Sequence, residues 1–216
     1  PLDPRLITTV APAVAKAAIK SGVAKHTIED WNAYTENLSK RLGLDNKLLK
    51  NITQKAKRNP KTVVFAEADN YKILKAAQIV HEEGIAKPVL LGKIKKIQEV
   101  VEEYNLDISD IPIIDPRSSS ERDRKNKYAE LLFEKRKRRG ITLVEAKEAM
   151  RSRNYFGSAM VELGEADALI SGLTRNYRDT IRPALQVIGT DDDVTKIAGM
   201  YILFTKNGPF FFADTT

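Results

Sequence analysis

From Pro60 onward, short apolar runs alternate with longer stretches in which apolar residues recur every three or four positions. Thr62-Val63-Val64-Phe65-Ala66, Pro88-Val89-Leu90-Leu91-Gly92 and Ile111-Pro112-Ile113-Ile114-Asp115 are too short for buried helices and read as strands. Between them, Tyr71 to Glu83, stopped by Gly84, and Lys95 to Tyr104 carry the helical period. Thr142 and Glu145 form a capping-box pattern for a helix running to Met150, and Asn154 to Leu163, closed by Gly164, is a further helix. Ala168-Leu169-Ile170 is a fourth short strand. Such alternation predicts a parallel sheet covered on both faces. Ile197 to Thr205 and Phe210 to Ala213, joined across Lys206-Asn207-Gly208-Pro209, predict a hairpin.

Before Pro60 the pattern is helical throughout. Pro12 is placed to open a helix, with Thr8 or Thr9 near its cap and Gly22 to end it. Thr27 opens the next, with Trp31, Tyr34, Leu38 and Leu42 on one face and Gly43 as its stop; Leu44 to Lys57 forms a third. Trp31 and Tyr34 read as packing residues rather than a ligand stack. Residues 27–58 carry apolar faces but no clustered chemistry and read as a helical linker. Pro1 opens without Met and the chain closes on an apolar strand, so a piece of a longer polypeptide is expected.

The candidate chemistry lies between Asp167 and Gly189. A strand breaks at Ser171-Gly172, a polar segment from Thr174 to Thr180 comes next, and Arg182-Pro183 leads into an apolar helix, Ala184 to Ile188. Loops leaving the carboxyl ends of parallel strands are where ligands sit, and helix N-termini attract anions. Arg175, Arg178 and Arg182 add forked cationic donors. Two readings stand: an anion-binding loop, or an ordinary connection whose arginines face water. Glu67 and Asp69 sit at another strand's carboxyl end; contact to a ligand or metal is one reading, and turn formation with helix capping is the favoured one. Asp191-Asp192-Asp193 reads as a solvated turn.

Composition narrows the classes. The 216 residues carry a net charge of +7 and no Cys, so disulfide and thiolate chemistry are excluded. His26 and His81 are too scattered for a His-based metal site, and no metal is expected. No apolar run approaches membrane length, which leads to an expectation of a cytoplasmic protein without a membrane partner. A basic block from Arg117 to Arg139 lacks the interleaved aromatics of a nucleic-acid surface, so no nucleic-acid partner is expected; a solvated helix face is the favoured reading, and some of its residues guarding an anionic cleft is the sharper alternative.

Seven stretches resemble the first half of the phosphate acetyltransferase (phosphotransacetylase) family: VVFAEADN at 63–70, EEGIAKPVLLG at 82–92, IIDP at 113–116, RKRRGIT at 136–142, GEADALISG at 164–172, DTIRPALQVIGT at 179–190 and FFFADTT at 210–216. Residues 3–24 resemble the carboxyl end of the catalytic part of bacterial NADP-dependent malic enzymes. This order is similar to that of large malic enzymes with a phosphotransacetylase-like C-terminal domain, and implies that residues 1–26 are the C-terminal helix of the malic enzyme domain, 27–58 a helical linker and 59–216 the first part of the phosphotransacetylase-like domain. The resemblance implies a three-layer αβα fold with a parallel or mixed sheet, phosphotransacetylase-like and akin to isocitrate and isopropylmalate dehydrogenases, behind an N-terminal helical extension. It implies that Arg136 and Arg182 hold phosphate, acetyl phosphate or an effector, with Ser171, Asp179 and Thr180 in the same site. Arg175, Tyr177 and Arg178 depart from the smaller residues of simple transacetylases. The family's Ser and Asp that handle the CoA thiol lie beyond Thr216, so no catalytic residue is expected here. The role implied is regulatory: binding acetyl-CoA, acetyl phosphate or phosphate and supporting a homo-oligomer. NADP and a divalent metal (Mg or Mn) are then cofactors of the parent malic enzyme and not of this piece. The rival is a working acetyltransferase domain.

Overall fold

The computed structural model describes residues 5–41, 47–191, 193–205 and 208–213. Leu42, Gly43, residues 44–46, Asp192, Lys206 and Asn207, which figured in the expected helix stop, helix start, acidic turn and hairpin turn, lie outside them. The chain divides into two units, residues 53–197 and residues 1–52 with 198–216.

In the larger unit, β1 (Lys61–Phe65), β2 (Ala86–Leu91), β3 (Ile113–Ile114) and β4 (Ala168–Ile170) form a four-stranded sheet in the order β3-β2-β1-β4. All three pairings are parallel. At the amino edge, Asp167 pins β1 to β4: its carboxylate accepts from the Thr62 N–H at 2.8 Å and its N–H donates to the Thr62 carbonyl at 2.8 Å.

Alternation along the strands sends side chains to two cores. On one face, Phe65 and Leu90 meet Leu74 and Ala77 of α4 (Tyr71–Glu82) and Ile97 of α5 (Ile94–Tyr104). On the other, Val64 and Leu91 meet Tyr128 and Leu132 of α6 (Arg122–Arg136), Ala146 of α7 (Leu143–Ala149), Phe156 of α8 (Arg153–Glu162) and Val187 of α9 (Tyr177–Val187). The result is three layers, with helices on both faces of a parallel sheet. The capping box expected at Thr142 and Glu145 is present at the start of α7.

Gly157 is what seats α8 on the sheet. A Cβ there would lie 2.7 Å from Leu169 Cδ1, 3.3 Å from Leu91 Cδ1 and 3.4 Å from Val64 Cγ1. These contacts come from β4, β2 and β1, so the glycine lets the helix lie close over the sheet centre. Its first residues, Arg153 and Asn154, are thereby held at the carboxyl edge of the sheet.

Much of the basic block is a solvated face, but Arg117 lines a crevice and Arg136 donates to the end of α9. Arg124 and Lys127 pair with Glu165 at 3.6 and 3.4 Å, and Lys135 pairs with Glu162. Tyr128 is buried beneath and donates to Glu165 at 2.5 Å; burial, then the neighbouring carboxylate, raise its pKa.

In the smaller unit, α1 (Arg5–Lys20) begins seven residues before Pro12, so Pro12 lies inside the helix and not at its start. Leu6, Val10 and Val14 recur at helical spacing through that region, which carries the helix upstream; they remain exposed. Gly22, at φ 73°, closes it: the Gly22 N–H donates to the Ile19 carbonyl and the Val23 N–H to the Ala18 carbonyl. α2 (Trp31–Arg41) starts after Asp30, not at Thr27, because the Asp30 carboxylate caps the N–H groups of Asn32 and Ala33 at 2.9 Å. Trp31 and Tyr34 pack edge to face at 5.9 Å, with Lys16 4.9 Å above the Trp31 ring. α3 (Lys47–Arg58) comes next in the chain. β5 (Met200–Thr205) starts three residues later than expected and pairs antiparallel with β6 (Gly208–Ala213), with Ile202 opposite Phe211. Both faces of this ribbon are solvent-exposed, including Tyr201, Leu203 and Phe210 to Phe212.

No helix among the described residues is long and apolar enough to cross a membrane.

Candidate functional site

The sheet reverses its winding at β1. The chain leaves β1 for α4 on one face and leaves β4 for α9 on the other. Adjacent parallel strands whose connections diverge open a crevice at their carboxyl ends. The crevice here has a volume of about 490 Å3, and its walls come from the segments just beyond β1, β2, β3 and β4 together with the start of α8.

The loop after β4 is held from below by Glu67. This carboxylate is 4% exposed. It accepts from the Leu173 N–H at 2.8 Å, and the Thr174 N–H and hydroxyl lie at 3.2 and 3.1 Å from its oxygens. Gly172, at φ 114°, makes the bend that presents those donors. Helix capping after β1 falls instead to Asn70, whose side chain accepts from the Lys72 N–H at 2.9 Å. The turn expected at Glu67 and Asp69 is present, closed by the Asn70 N–H donating to the Glu67 carbonyl at 3.0 Å, but the capping role is corrected: the Glu67 side chain fastens a distant loop, and Asp69 forms a two-point pair with Arg153 at 2.6 and 2.9 Å. The Arg153 guanidinium, by hydrogen bond and charge, holds the Asp69 carboxyl below its ordinary pKa.

α9 begins at Tyr177, six residues before Pro183. The helix was expected to start at Arg182-Pro183; Asn176 supplies an earlier and stronger cap. Its side chain accepts from the Asp179 N–H at 2.9 Å and donates to the Asp179 carboxylate at 2.8 Å, while the Thr180 hydroxyl donates to the Asn176 carbonyl at 3.1 Å. Pro183 therefore sits inside the helix and cannot donate to the Asp179 carbonyl one turn back. Asn154 fills the gap: its buried side-chain amide donates to that carbonyl at 3.1 Å and accepts from the Ser171 hydroxyl at 2.8 Å.

The sequence-derived site residues are thus distributed. Arg182 and Asp179 line the crevice; Asp179 and Thr180 are engaged in the start of α9, and Ser171 is held by Asn154. Arg136 is not in the crevice wall. Its guanidinium donates to the Gln186 carbonyl at 2.8 Å and to the Leu185 carbonyl, closing the last turn of α9. Burial, then the charge of Arg139, lower its pKa. Arg136 and Arg182 do meet in a second, neighbouring groove of about 570 Å3, which Arg139 and Arg178 share. Tyr155 lies between: burial raises its pKa, and the charges of Arg182 and Arg136 oppose that rise.

Several groups that sequence reasoning did not single out complete the crevice. Arg153 and Asn154 hide in a helix start whose role only the fold reveals. Lys93 and Lys96, after β2, and Arg117, after β3, are wall residues. Together with Arg175 and Arg182 they form a set of five cations with no ion pair among the described residues; of the wall's carboxylates, Asp69 is matched by Arg153, Glu67 is turned onto backbone N–H groups, and Asp115 and Asp179 accept from the Arg117 N–H and the Asn176 side chain, so cations remain in excess. A concave site with that imbalance attracts anions.

Residues 47–216 match the family described as phosphate acetyl/butaryl transferase. The chain belongs to that family. It is 42% identical over 173 residues to a phosphate acetyltransferase of Thermoanaerobacterium thermosaccharolyticum, an alignment covering 77% of this chain and 51% of that protein. It is 36% identical over 219 residues to an NADP-dependent malic enzyme of Salmonella typhimurium, and this alignment covers all of this chain and 28% of the malic enzyme. The match is to the C-terminal region of such malic enzymes, so the chain spans just over a quarter of those relatives and about half of the acetyltransferase. Its fold is phosphotransacetylase-like: the EutD phosphotransacetylase from Staphylococcus aureus superposes with a TM-score of 0.70 at 31% identity, covering 78% of this chain and 50% of that one.

Proposed function

We propose that this chain serves as the ligand-responsive, phosphotransacetylase-like region of an NADP-dependent malic enzyme. It binds a small phosphate-bearing anion (acetyl-CoA, acetyl phosphate or phosphate) in the crevice at the carboxyl ends of β1 and β4. The observation that supports this reading is the cation set of the crevice, of which Arg182 and Arg175 sit on the loop and helix that Glu67 and Asn154 hold in place. Forked guanidinium donors suit phosphate oxygens. Acetyl transfer to CoA also needs a group that activates the attacking thiol; among the described residues, the crevice carboxylates Glu67, Asp69, Asp115 and Asp179 are occupied by the Leu173 N–H, Arg153, the Arg117 N–H and the Asn176 side chain. Binding without turnover is the reading that fits. In the parent enzyme, cytoplasmic and homo-oligomeric on this proposal, NADP, a divalent metal and malate oxidation belong to the rest of the polypeptide.

A second reading draws on the 42% identity to a phosphate acetyltransferase: acetyl transfer between CoA and phosphate. Calorimetric titration of the chain with acetyl-CoA, acetyl phosphate and phosphate, run beside an assay for phosphate-dependent loss of acetyl-CoA, separates the two. Saturable binding without loss of acetyl-CoA is expected. Steady turnover replaces the first reading by the second, and absence of binding defeats both.

A further inference from the structure

Lys93 and Lys96 are the amines of the crevice wall; its other cations are guanidiniums. The two groups differ in what they can do. A guanidinium keeps its proton and only binds, whereas a lysine amine can give its proton up and attack a carbonyl carbon. Lys93 stands just before α5 and Lys96 in its first turn, both exposed. The wall's carboxylates are engaged elsewhere: Asp69 is held by Arg153, Asp115 accepts from the Arg117 N–H at 2.9 Å, and Asp179 accepts from the Asn176 side chain at 2.8 Å. Lys96 is felt at the centre of the crevice. The Asp69 carboxyl is held low first by the Arg153 hydrogen bond, against burial, and the charge of Lys96 adds to that hold. α5 comes after β2 and Arg182 after β4, one on each side of β1. With strands ~4.8 Å apart, the two strand ends are separated by roughly 10 Å, a gap that an extended lysine side chain and a small acyl phosphate together span.

We infer that Lys96 is a self-acetylation site: an acyl phosphate whose phosphate is held by Arg175 and Arg182 transfers its acetyl group to the Lys96 amine. The inference rests on the anion-binding reading above and adds a chemical outcome to it. In an acyl phosphate the carbonyl carbon is one oxygen away from phosphorus, so anchoring the phosphate also fixes the carbonyl. In acetyl-CoA the thioester is far from any phosphate, and the same anchor does not place it. The step needs no further reagent. The Lys96 ammonium releases one proton to solvent, and its nitrogen bonds to the acetyl carbon. The bond between that carbon and the phosphate oxygen breaks, and the phosphate leaves as hydrogen phosphate with the second proton of the nitrogen. Arginines beside the phosphate stabilise the charge it gathers on leaving. Each chain undergoes the step once, because the amide formed is no longer nucleophilic. Acetylation also removes one cation from the wall, so a crevice that has met the acyl phosphate afterwards holds anions less tightly.

The test incubates the full chain with acetyl phosphate at mildly alkaline pH and follows the acetyl gain at each lysine by peptide mass spectrometry. Lys55 on α3 and Lys147 on α7, exposed and outside the crevice, serve as references. Lys96 is expected to gain acetyl at least about tenfold faster than either, as a reaction within a bound complex does against one from free solution. Its rate should saturate with acetyl phosphate, and should fall to the reference rate in excess inorganic phosphate or in Arg182→Ala. An unaltered thermal midpoint checks that this variant keeps its fold. Equal rates at the three lysines, a preference for Lys93, or a Lys96 rate that inorganic phosphate does not slow overturns the inference. Consumption of acetyl phosphate with Lys96 left unmodified overturns it as well, with water as the acceptor. Calorimetry with inorganic phosphate and acetyl phosphate separates the two levels. If they bind and Lys96 is not favoured, the acetylation alone falls; if neither binds, the anion-binding reading falls with it.

Discussion

Asn154 supplies to the Asp179 carbonyl the hydrogen bond that Pro183 cannot give. A proline in the second turn of α9 would otherwise leave a helix carbonyl open beside a buried side chain. The same amide group also receives the Ser171 hydroxyl, so one residue ties the end of β4 to the start of α9. Asn154→Ala should cost about 1–3 kcal/mol by stranding both partners. Pro183→Ala restores a backbone donor for Asp179. In that background the cost of Asn154→Ala should shrink, and urea denaturation of the four proteins of this double-mutant cycle reads the coupling directly. Strict additivity would show that Pro183 and Asn154 are unrelated.

Arg136 and Arg182 should separate in their effects. Arg136 spends its guanidinium on the last turn of α9, so Arg136→Ala should lower stability by about 1.5–3 kcal/mol, as for a lost charged hydrogen bond. Arg182 makes no ion pair among the described residues and lines both the crevice and the neighbouring groove. Its replacement by Ala should leave the denaturation midpoint nearly unchanged and weaken phosphate binding by about tenfold. The opposite pattern would move the anion site to the neighbouring groove.

The Asp69–Arg153 pair gives a pH dependence with a definite sign. The Asp69 carboxyl is held below its ordinary value by the Arg153 hydrogen bond, partly offset by burial. Its contribution is therefore fully present above the unfolded-chain value of about 3.9 and is lost as pH falls through the lower folded value. Between about pH 5 and pH 3, stability should fall less steeply in Asp69→Asn than in the unaltered chain, because one carboxylate no longer takes up a proton on unfolding. Denaturation midpoints measured across that range, compared as slopes, decide the matter; parallel curves would mean the pair adds nothing.

Glu67→Ala should loosen residues 171–176 while leaving the sheet intact. Three donors lose their acceptor, and Leu173 and Thr174 are then no longer tied to the end of β1. Limited trypsin digestion should cut after Arg175 several-fold faster than in the unaltered chain, with circular dichroism unchanged. Equal cutting rates would show that Gly172 and the α9 cap alone fix the loop.

The fold was largely legible in the residues because its signals are local. Short apolar runs such as 63–65 and 89–91 gave the strands, and Thr142 with Glu145 gave a helix start. Boundaries failed where a stronger cap stood nearby. Asp30 outcompeted Thr27, and Asn176 drew α9 upstream of Pro183, since a side chain that can reach the second or third N–H decides where a helix begins. The crevice was legible on its β4 side and, through Glu67 and Asp69, at the end of β1. Arg182 was visible from a strand–loop–helix pattern, but Lys93, Lys96 and Arg117 are ordinary surface residues in one dimension. They become walls only because parallel pairing brings the ends of β2 and β3 beside β1. Glu67 and Asn154 show the same limit: their partners lie 106 and 25 residues away, and no spacing rule spans such gaps.

The β5–β6 ribbon carries a practical consequence. Two six-residue strands rich in aromatic and aliphatic side chains stand in water on both faces, and nothing charged lies along either. Ribbons of that composition template their own stacking. The ceiling on how concentrated a solution of this chain stays clear is then set there and not in the four-stranded sheet. Lysine at Ile202 together with glutamate at Phe211, which face each other across the ribbon, should raise that ceiling without disturbing the crevice.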